Sequence, residues 1–491
     1  MKDIKNISLL FLAILTFIAC RETKQPTDLK TVFESINIEA QKNGEGYHNL
    51  GKVCKEIGHR LTGSENGKKA EQTAFDLFKS YGLDVEFDEF EVGSWTRGNL
   101  TLSITGDENI DTLETVSLAY SPTTVDLLGK IVDVGNGLRN NFEAIKDQVK
   151  GNIVLLNIGI HPKDSTLANL HRTEKTALAI EYGAIGAIFM NKYPNRILLT
   201  GTASITGTEL PIPAISIAYE DGMILRAVLK EKELTAHIEM NNSLNPIKAR
   251  NVIATIKGSE LPEERILIGG HLDSWDLSPC AIDNGVGSFT VIEIARIFAA
   301  LNLKPKRTVQ FVAFMGEEEG LLGSTAYAKK LMDNNEMEQI KYFVNLDMAS
   351  NTIGFNIMGR READSFCIKV GELIQEIDST FPNKLANHLG TSSDHFSFAI
   401  EGVPTLETIS DFADGIFQYY HSNADNFELV DEQQMKNCAR YTGMMLYALA
   451  DADTLPARQY TQEEVGVLFE KIRPLQKPKA LIFSLFLNYS D

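Results

Sequence analysis

The chain is 491 residues long, 43% hydrophobic and 23% charged, with a formal net charge of −19. That length exceeds one ordinary domain and predicts two globular units with sizeable cores. So acidic a chain lacks the basic face that phosphate binding needs, which excludes nucleic acid as a partner.

At the N-terminus, Lys2 and Lys5 precede the apolar run Ile7–Ala19, which stops at Cys20. A basic start and an apolar segment too short for a comfortable bilayer span describe a secretory signal over residues 1–20. Ala19-Cys20 resembles the lipobox of bacterial lipoproteins. The resemblance implies an exported protein anchored in a bacterial cell envelope, in the periplasm or at the outer membrane, that meets membrane only through a lipidated Cys20. An ordinary signal peptide or an uncleaved anchor is the other reading. Beyond Cys20 lie Cys54, Cys280, Cys367 and Cys438, irregularly spaced and without a metal-type Cys-x-x-Cys pair, so no pairing is assigned.

Residues 21–30 are polar and read as a tether. Residues 31–117 open one unit. In it, Gly58–Ser64 is a polar loop, and Lys68–Tyr81 has the one-face apolar spacing of a helix, stopped by Gly82. Leu83–Phe90 then alternates as a strand.

Residues 118–246 differ in texture. Short apolar runs at 129–134, 151–156 and 184–189 alternate with turns. Leu167–Tyr182 reads as helical, and Pro211–Ile217 closes the set. This predicts a small β-rich unit with one or two helices, whose runs resemble the protease-associated domain inserted into some exported peptidases. Its histidines, His161, His171 and His237, are scattered and read as surface or packing residues.

The first unit resumes over 247–453. Asn251–Ile256, Arg265–Ile268, Thr308–Met315 and Lys341–Leu346 read as near-continuous apolar strands, and Val286–Leu301 as a buried helix. The alternation predicts an α/β fold, a mostly parallel twisted sheet with helices on both faces. Residues 454–491 form a C-terminal tail whose apolar run, Ala480–Leu487, is a candidate packed strand or subunit contact of a homodimer.

Ligands in such sheets bind beyond the carboxyl ends of the strands. His271 follows the 265–268 strand, Gly316-Glu317-Glu318-Glu319 follows 308–315, and Asp347 follows 341–346. Asp283 sits just before the long helix, and His421 adds a histidine with Asp425 nearby. Imidazole and carboxylate donors without thiolate suit zinc. His271, Asp283, Glu318, Asp347 and His421 are too many for one catalytic zinc, whereas two zincs bridged by Asp283 and a hydroxide use them all. Of the neighbours Glu317 and Glu318, one can face metal while the other serves as general base. Glu319 reads as a solvated or helix-start charge.

The series His271-x-Asp273, Asp283-Asn284-Gly285, Gly316-Glu317-Glu318-x-Gly320, Asn345-Leu346-Asp347-Met348 and His421-x-x-x-Asp425 resembles the di-zinc exopeptidase family of leucyl aminopeptidases and glutamate carboxypeptidases. The likeness runs from about Asn49 to Asp451 and includes Arg60-Leu-Thr-Gly-Ser64. It implies two Zn2+ per chain, one held by His271 and Asp347, the other by Glu318 and His421, with Asp283 bridging. It makes Glu317 the general base, while Asp273 orients His271 and Asp425 the His421 loop. The family often has Asp-Asp where this chain has Asp283-Asn284, which draws attention to the hydrogen bonds around Asn284.

Gly390–Phe396 resembles the family's substrate-side loop. In it His395 either bonds substrate or oxyanion, or stabilises its own turn. The implied activity is hydrolysis of terminal peptide bonds in short peptides or dipeptides. A glutaminyl-cyclase-like zinc acyltransferase and a non-catalytic binding relative are the alternatives. The terminus read is left open.

Overall fold

The structure, a computed structural model, describes residues 28–110 and 112–470. Residues 1–20 with Cys20, most of the tether and the apolar run 480–487 lie outside the described residues.

The predicted apolar strands form the middle of one mixed sheet. Leu261–His271 pairs in parallel with Arg307–Phe314 on one side and with Ile340–Asn345 on the other. Ile340–Asn345 in turn pairs in parallel with Thr405–Asp411. Antiparallel partners flank this parallel core, Thr235–Ile256 beside Arg307–Phe314 and Asn351–Asn356 beside Thr405–Asp411.

Both faces of the core are buried, and successive side chains divide between them as strand geometry requires. Ile266, Ile268, Phe311, Ala313, Tyr342 and Val344 face one cluster, formed with the helices Leu29–Asn43, Gly46–Glu56, Val286–Ala300 and Glu432–Asp451. Leu267, Val312, Phe314 and Phe343 face another, closed by Tyr327, Leu331 and Phe398 from the helices Leu322–Asp333 and His395–Ala399. This is the α/β architecture expected, with helices on both sides. Among the described residues no helix is long and apolar enough to cross a membrane, and the four cysteines beyond Cys20 are buried free thiols.

The strand read at 83–90 extends much further, over Asp84–Thr105. It forms an antiparallel ribbon with Thr235–Ile256, from Asp84 opposite Thr255 to Thr105 opposite Thr235, interrupted between Thr96 and Asn99. The second unit is built on the far half of this ribbon, where Thr124–Gly135 pairs with Thr235–Ile256. Residue 246 therefore lies within a continuous strand shared by both units. Thr124–Gly135, Ile153–Asn157, Gly186–Met190 and Ala214–Ile217 run parallel. They are packed with the helices Arg172–Glu181 and Tyr219–Val228 around two cores of their own.

The helix expected from Leu167 begins only at Arg172. His171 is its N-cap: its backbone N–H donates to Glu174 Oε2 at 2.7 Å and its ring accepts from Thr173, and this capping fixes the start.

Candidate metal centre and active site

Parallel pairing decides which residues meet. His271 closes its strand level with Phe314, and Asn345 lies level with Gly269 and with Glu407. His271, Glu317, Glu318 and Asp347 consequently emerge at one carboxyl edge. Asp283 reaches the same edge from the turn before the Val286–Ala300 helix.

Asp283 stands at the centre. Its Oδ1 lies 3.3 Å from His271 Nε2 and its Oδ2 3.1 Å from His421 Nε2, so each oxygen faces a different histidine. Asp347 Oδ1 completes the first set, 3.4 Å from His271 Nε2, and Glu318 Oε2 the second, 2.8 Å from His421 Nε2. Donor atoms of His271, Asp283 and Glu318 fall within 4.8 Å of one another. Glu317 Oε2 stands further off, 3.9 Å from His271 Nε2.

The donor set fits divalent metal. Asp283 Oδ2, Glu318 Oε1 and Asp347 Oδ1 are buried without a hydrogen-bond donor of good geometry, an arrangement that is costly unless cations offset it. The titrating groups register this crowding of charge. Against the depressing effect of burial, the carboxylates of Glu317, Asp347, Asp273 and Asp283 hold His271 well above the usual imidazole value. Burial, reinforced by Asp347 and Glu318, pushes Glu317 well above the usual carboxylate range. At Asp283 burial acts upward, but the two histidines outweigh it and hold the carboxyl low.

The supporting contacts differ from simple ligand orientation. The Asp273 carboxylate accepts the backbone N–H groups of Glu317 at 3.2 Å and Glu318 at 3.3 Å, fixing the two-glutamate turn. His271 Nδ1 lies 3.1 Å from the Asp273 carbonyl oxygen and 3.6 Å from its carboxylate. Asp425 accepts from the backbone N–H of Ile282 at 2.8 Å and of Asp283 at 2.9 Å, so it ties the His421 loop to Asp283. Glu319 is 2% exposed rather than solvated; Tyr120 of the second unit donates to its carbonyl at 3.3 Å, and its carboxylate lies against the Trp95 backbone.

Asn284 is fully buried. Its Nδ2 donates to the Leu346 carbonyl at 2.8 Å, next to Asp347, and its Oδ1 accepts Gly287 N–H at 3.1 Å. A Cβ on Gly287 would come 2.4 Å from the Leu346 carbonyl oxygen, so only glycine lets helix and strand approach this closely.

His395 has both ring nitrogens engaged within the protein. Its Nε2 is 3.1 Å from the Gly390 carbonyl, and its Nδ1 is 3.2 Å from Glu407 Oε1 and 3.3 Å from Asn345 Nδ2.

Three further residues shape the site without having been singled out as site residues. Arg60, fully buried, donates to the carbonyls of Leu272, Pro279 and Cys280, stapling the loop between His271 and Asp283. Tyr420 stacks on the His421 ring at 3.8 Å. Arg172, from the second unit, reaches His421 Nδ1 at 3.2 Å. Arg60 opens the Arg60-Leu-Thr-Gly-Ser64 motif and Tyr420 directly precedes His421; Arg172 had only the capping pattern at His171 to mark it.

Comparison with known proteins agrees with this geometry. Residues 251–446 match peptidase family M28 and residues 115–225 match the PA domain. The chain is 26% identical over 441 residues to carboxypeptidase Q of Mus musculus, covering 88% of this chain and 91% of that protein. It is 24% identical over 446 residues to aminopeptidase YwaD of Bacillus subtilis, covering 88% and 90%. Among solved structures, a peptidase M28 precursor from Shewanella amazonensis superposes with a TM-score of 0.76 at 25% identity, over 88% of this chain and 99% of that one. A zinc aminopeptidase from Bacillus subtilis shares the fold, with a TM-score of 0.66 at 22% identity over 85% of this chain and 98% of that one.

Proposed function

Since this chain is a peptidase family M28 metallopeptidase carrying a PA domain, we propose that it is an exported two-zinc exopeptidase acting on short peptides or dipeptides. The observation that carries the two-metal reading is Asp283, which offers one oxygen toward each of two histidine–carboxylate pairs. His271 and Asp347 would hold one zinc and Glu318 and His421 the other. When bound, two zincs supply Lewis acidity, lowering the pKa of the attacking water toward ~7 and polarising the scissile carbonyl.

The chain's own residues do the rest. Glu317, anchored through its N–H by Asp273, accepts a proton from the attacking water and returns it to the amine of the departing residue. Burial beside Asp347 and Glu318 raises its proton affinity for that role. Tyr420 and Trp275 pack on the His421 ring, stacked and edge-on respectively, and restrict its rotation.

The relatives' names divide between carboxypeptidase and aminopeptidase, and a substrate with both termini free satisfies either. Export through a signal over residues 1–20, with Cys20 as the lipidated anchor, is supported by Lys2, Lys5 and the apolar run that ends at Ala19.

The test is a panel of dipeptides, free and blocked at either end, assayed as purified, after chelation and after zinc is restored. Chelation is expected to abolish turnover and zinc to return it, with one blocked series inert. Turnover surviving prolonged chelation refutes the mechanism. Cell fractionation of wild type and Cys20→Ala tests the anchor.

A further inference from the structure

The turn that carries Glu317 and Glu318 is clamped where the chain enters and leaves it. It runs from the end of the Arg307–Phe314 strand to the helix Leu322–Asp333. Within it Gly316 (φ 80°), Gly320 (φ 125°) and Leu321 (φ 61°) all have positive φ. Glycine adopts that region freely, whereas Leu321 keeps it only where its surroundings enforce it. Asp273 holds the middle of the turn through the N–H groups of Glu317 and Glu318.

Asn251, fully buried, joins the two feet. Its Oδ1 accepts the Met315 N–H at 3.1 Å. Its Nδ2 donates to the Gly323 carbonyl at 3.0 Å and to Asp88 Oδ2 at 3.1 Å. These partners fix which way the amide points, because an N–H can only donate and a carbonyl or carboxylate oxygen only accept. Asp88 stands directly opposite Asn251 across the ribbon, and its other oxygen accepts from Lys330 Nζ at 2.7 Å, on the helix that follows the turn. The packing leaves no slack. A Cβ on Gly323 would fall 2.3 Å from Asn251 Oδ1 and 2.2 Å from the Met315 carbonyl oxygen.

Resting on the reading of Glu317 as general base and Glu318 as metal ligand, we propose that Asn251 is a positioning residue for both. By fixing Met315 against Gly323 it sets where the turn stands at the sheet edge, and so where the two carboxylates are held. Asp88 and Lys330 hold the Asn251 amide in turn, so the ribbon and the following helix both support the catalytic turn. Misplacing a catalytic group by ~1 Å can lower a rate ~10²-fold, and contacts that support a metal ligand are worth about 10–100-fold in metal affinity.

The full chain is compared as wild type, Asn251→Asp and Asn251→Ser. Aspartate keeps the shape and the acceptor for Met315 but sets an oxygen against the Gly323 carbonyl and the Asp88 carboxylate. Serine is too short to span both feet and buries no charge. The readouts are kcat and KM on an unblocked dipeptide with zinc in excess, zinc affinity against a competing chelator, and the Tm of the metal-free protein. Rates are measured well below the lowest Tm. Both variants should lose about 10²-fold in kcat with KM near wild type. One zinc, the one Glu318 holds, should be weakened about 10–100-fold and the other left at wild-type affinity. A fall in metal-free Tm with wild-type kcat and zinc affinity means that Asn251 serves stability alone and overturns the proposal, as does failure of both variants to fold. Equal weakening of both zincs also overturns it, since only one of the two positions draws a ligand from this turn. A wild-type chain that holds a single zinc, or Glu317→Gln with wild-type kcat, refutes the underlying reading of the site instead.

Discussion

Glu317→Gln is the substitution that separates base from ligand at the Glu317-Glu318 pair. Asp273 receives both backbone N–H groups, at 3.2 and 3.3 Å, so the two side chains leave one turn in different directions. Glu318 Oε2 reaches 2.8 Å from His421 Nε2 with 2% of its side chain exposed, while Glu317 stays 3.9 Å from His271 Nε2 and keeps 12% exposure. The more open carboxylate is the one that can meet water and substrate. Glutamine preserves volume and removes the proton acceptor, which is worth ~10²–10⁴ in rate, or about 2.7–5.4 kcal/mol at ~1.36 kcal/mol per decade. The assay is release of free amino acid from an unblocked dipeptide, with zinc content measured on the same samples. The expected result is a fall in kcat of ~10²–10⁴ with zinc content and KM close to wild type. Glu318→Gln should instead lose metal. If Glu317→Gln loses zinc while Glu318→Gln keeps it, the two roles are exchanged and the geometric argument fails.

Removing Arg60 as Arg60→Met should leave the carbonyls of Leu272, Pro279 and Cys280 without their buried donor. At ~1–3 kcal/mol for each unsatisfied group, the metal-free protein should lose at least ~3 kcal/mol, read by denaturant unfolding; a near-neutral effect would mean the loop holds itself. Asn284→Asp places an acceptor 2.8 Å from the Leu346 carbonyl, where the structure has a donor. It should cost about 1–3 kcal/mol and weaken zinc binding, and a more stable variant would contradict this. Asp378, which ends the helix Asp364–Ile377, accepts from Arg440 at 2.6 Å and Tyr441 at 2.7 Å of the helix Glu432–Asp451 and so joins the two. Burial pushes this carboxyl up, but hydrogen bonds from Thr380, Tyr441 and Arg440 outweigh it and hold the group below the ordinary 3.8. Between the folded value and 3.8 the unfolded chain binds more protons, so its contribution is complete above 3.8 and lost as pH falls through the folded value. Asp378→Asn should therefore lower stability by about 1–2 kcal/mol near neutrality, a deficit that shrinks in acid; thermal unfolding that shows the same deficit at every pH would refute the clamp.

The sheet and four residues at its edge were legible because His271, Glu317, Glu318 and Asp347 lie at or within a few positions of the end of an apolar strand. Ile266 and Ile268 divide from Leu267 across the sheet, and a run buried on both faces reads as such in sequence. His271, Glu317, Glu318 and Asp347 then follow from where strands end. The ribbon was read short because Gly93 and Gly98 interrupt the alternation and the pairing itself is irregular between Thr96 and Asn99. Glu319 was misplaced for a different reason: the groups against it, Tyr120 and the Trp95 backbone, are about two hundred positions away in the chain.

The same limit governs how the insert engages the catalytic loops. Arg172 and His421 are 249 positions apart and meet through a cation and an imidazole. Arg97 donates to both carboxylate oxygens of Asp276, from Nε and Nη2 at 2.9 Å each, and also to Thr200 Oγ1 at 2.7 Å and to the Ser117 carbonyl. Polar contacts of this kind leave no period in the sequence, since each needs only one residue at one place. They are also directional, and so hold the loops they join in one register, where apolar packing alone leaves them free to slide. Alongside the backbone bond from Thr200 N–H to the His421 carbonyl, the insert's attachment to the catalytic loops therefore rests on single polar side chains, and single substitutions are enough to test each of them.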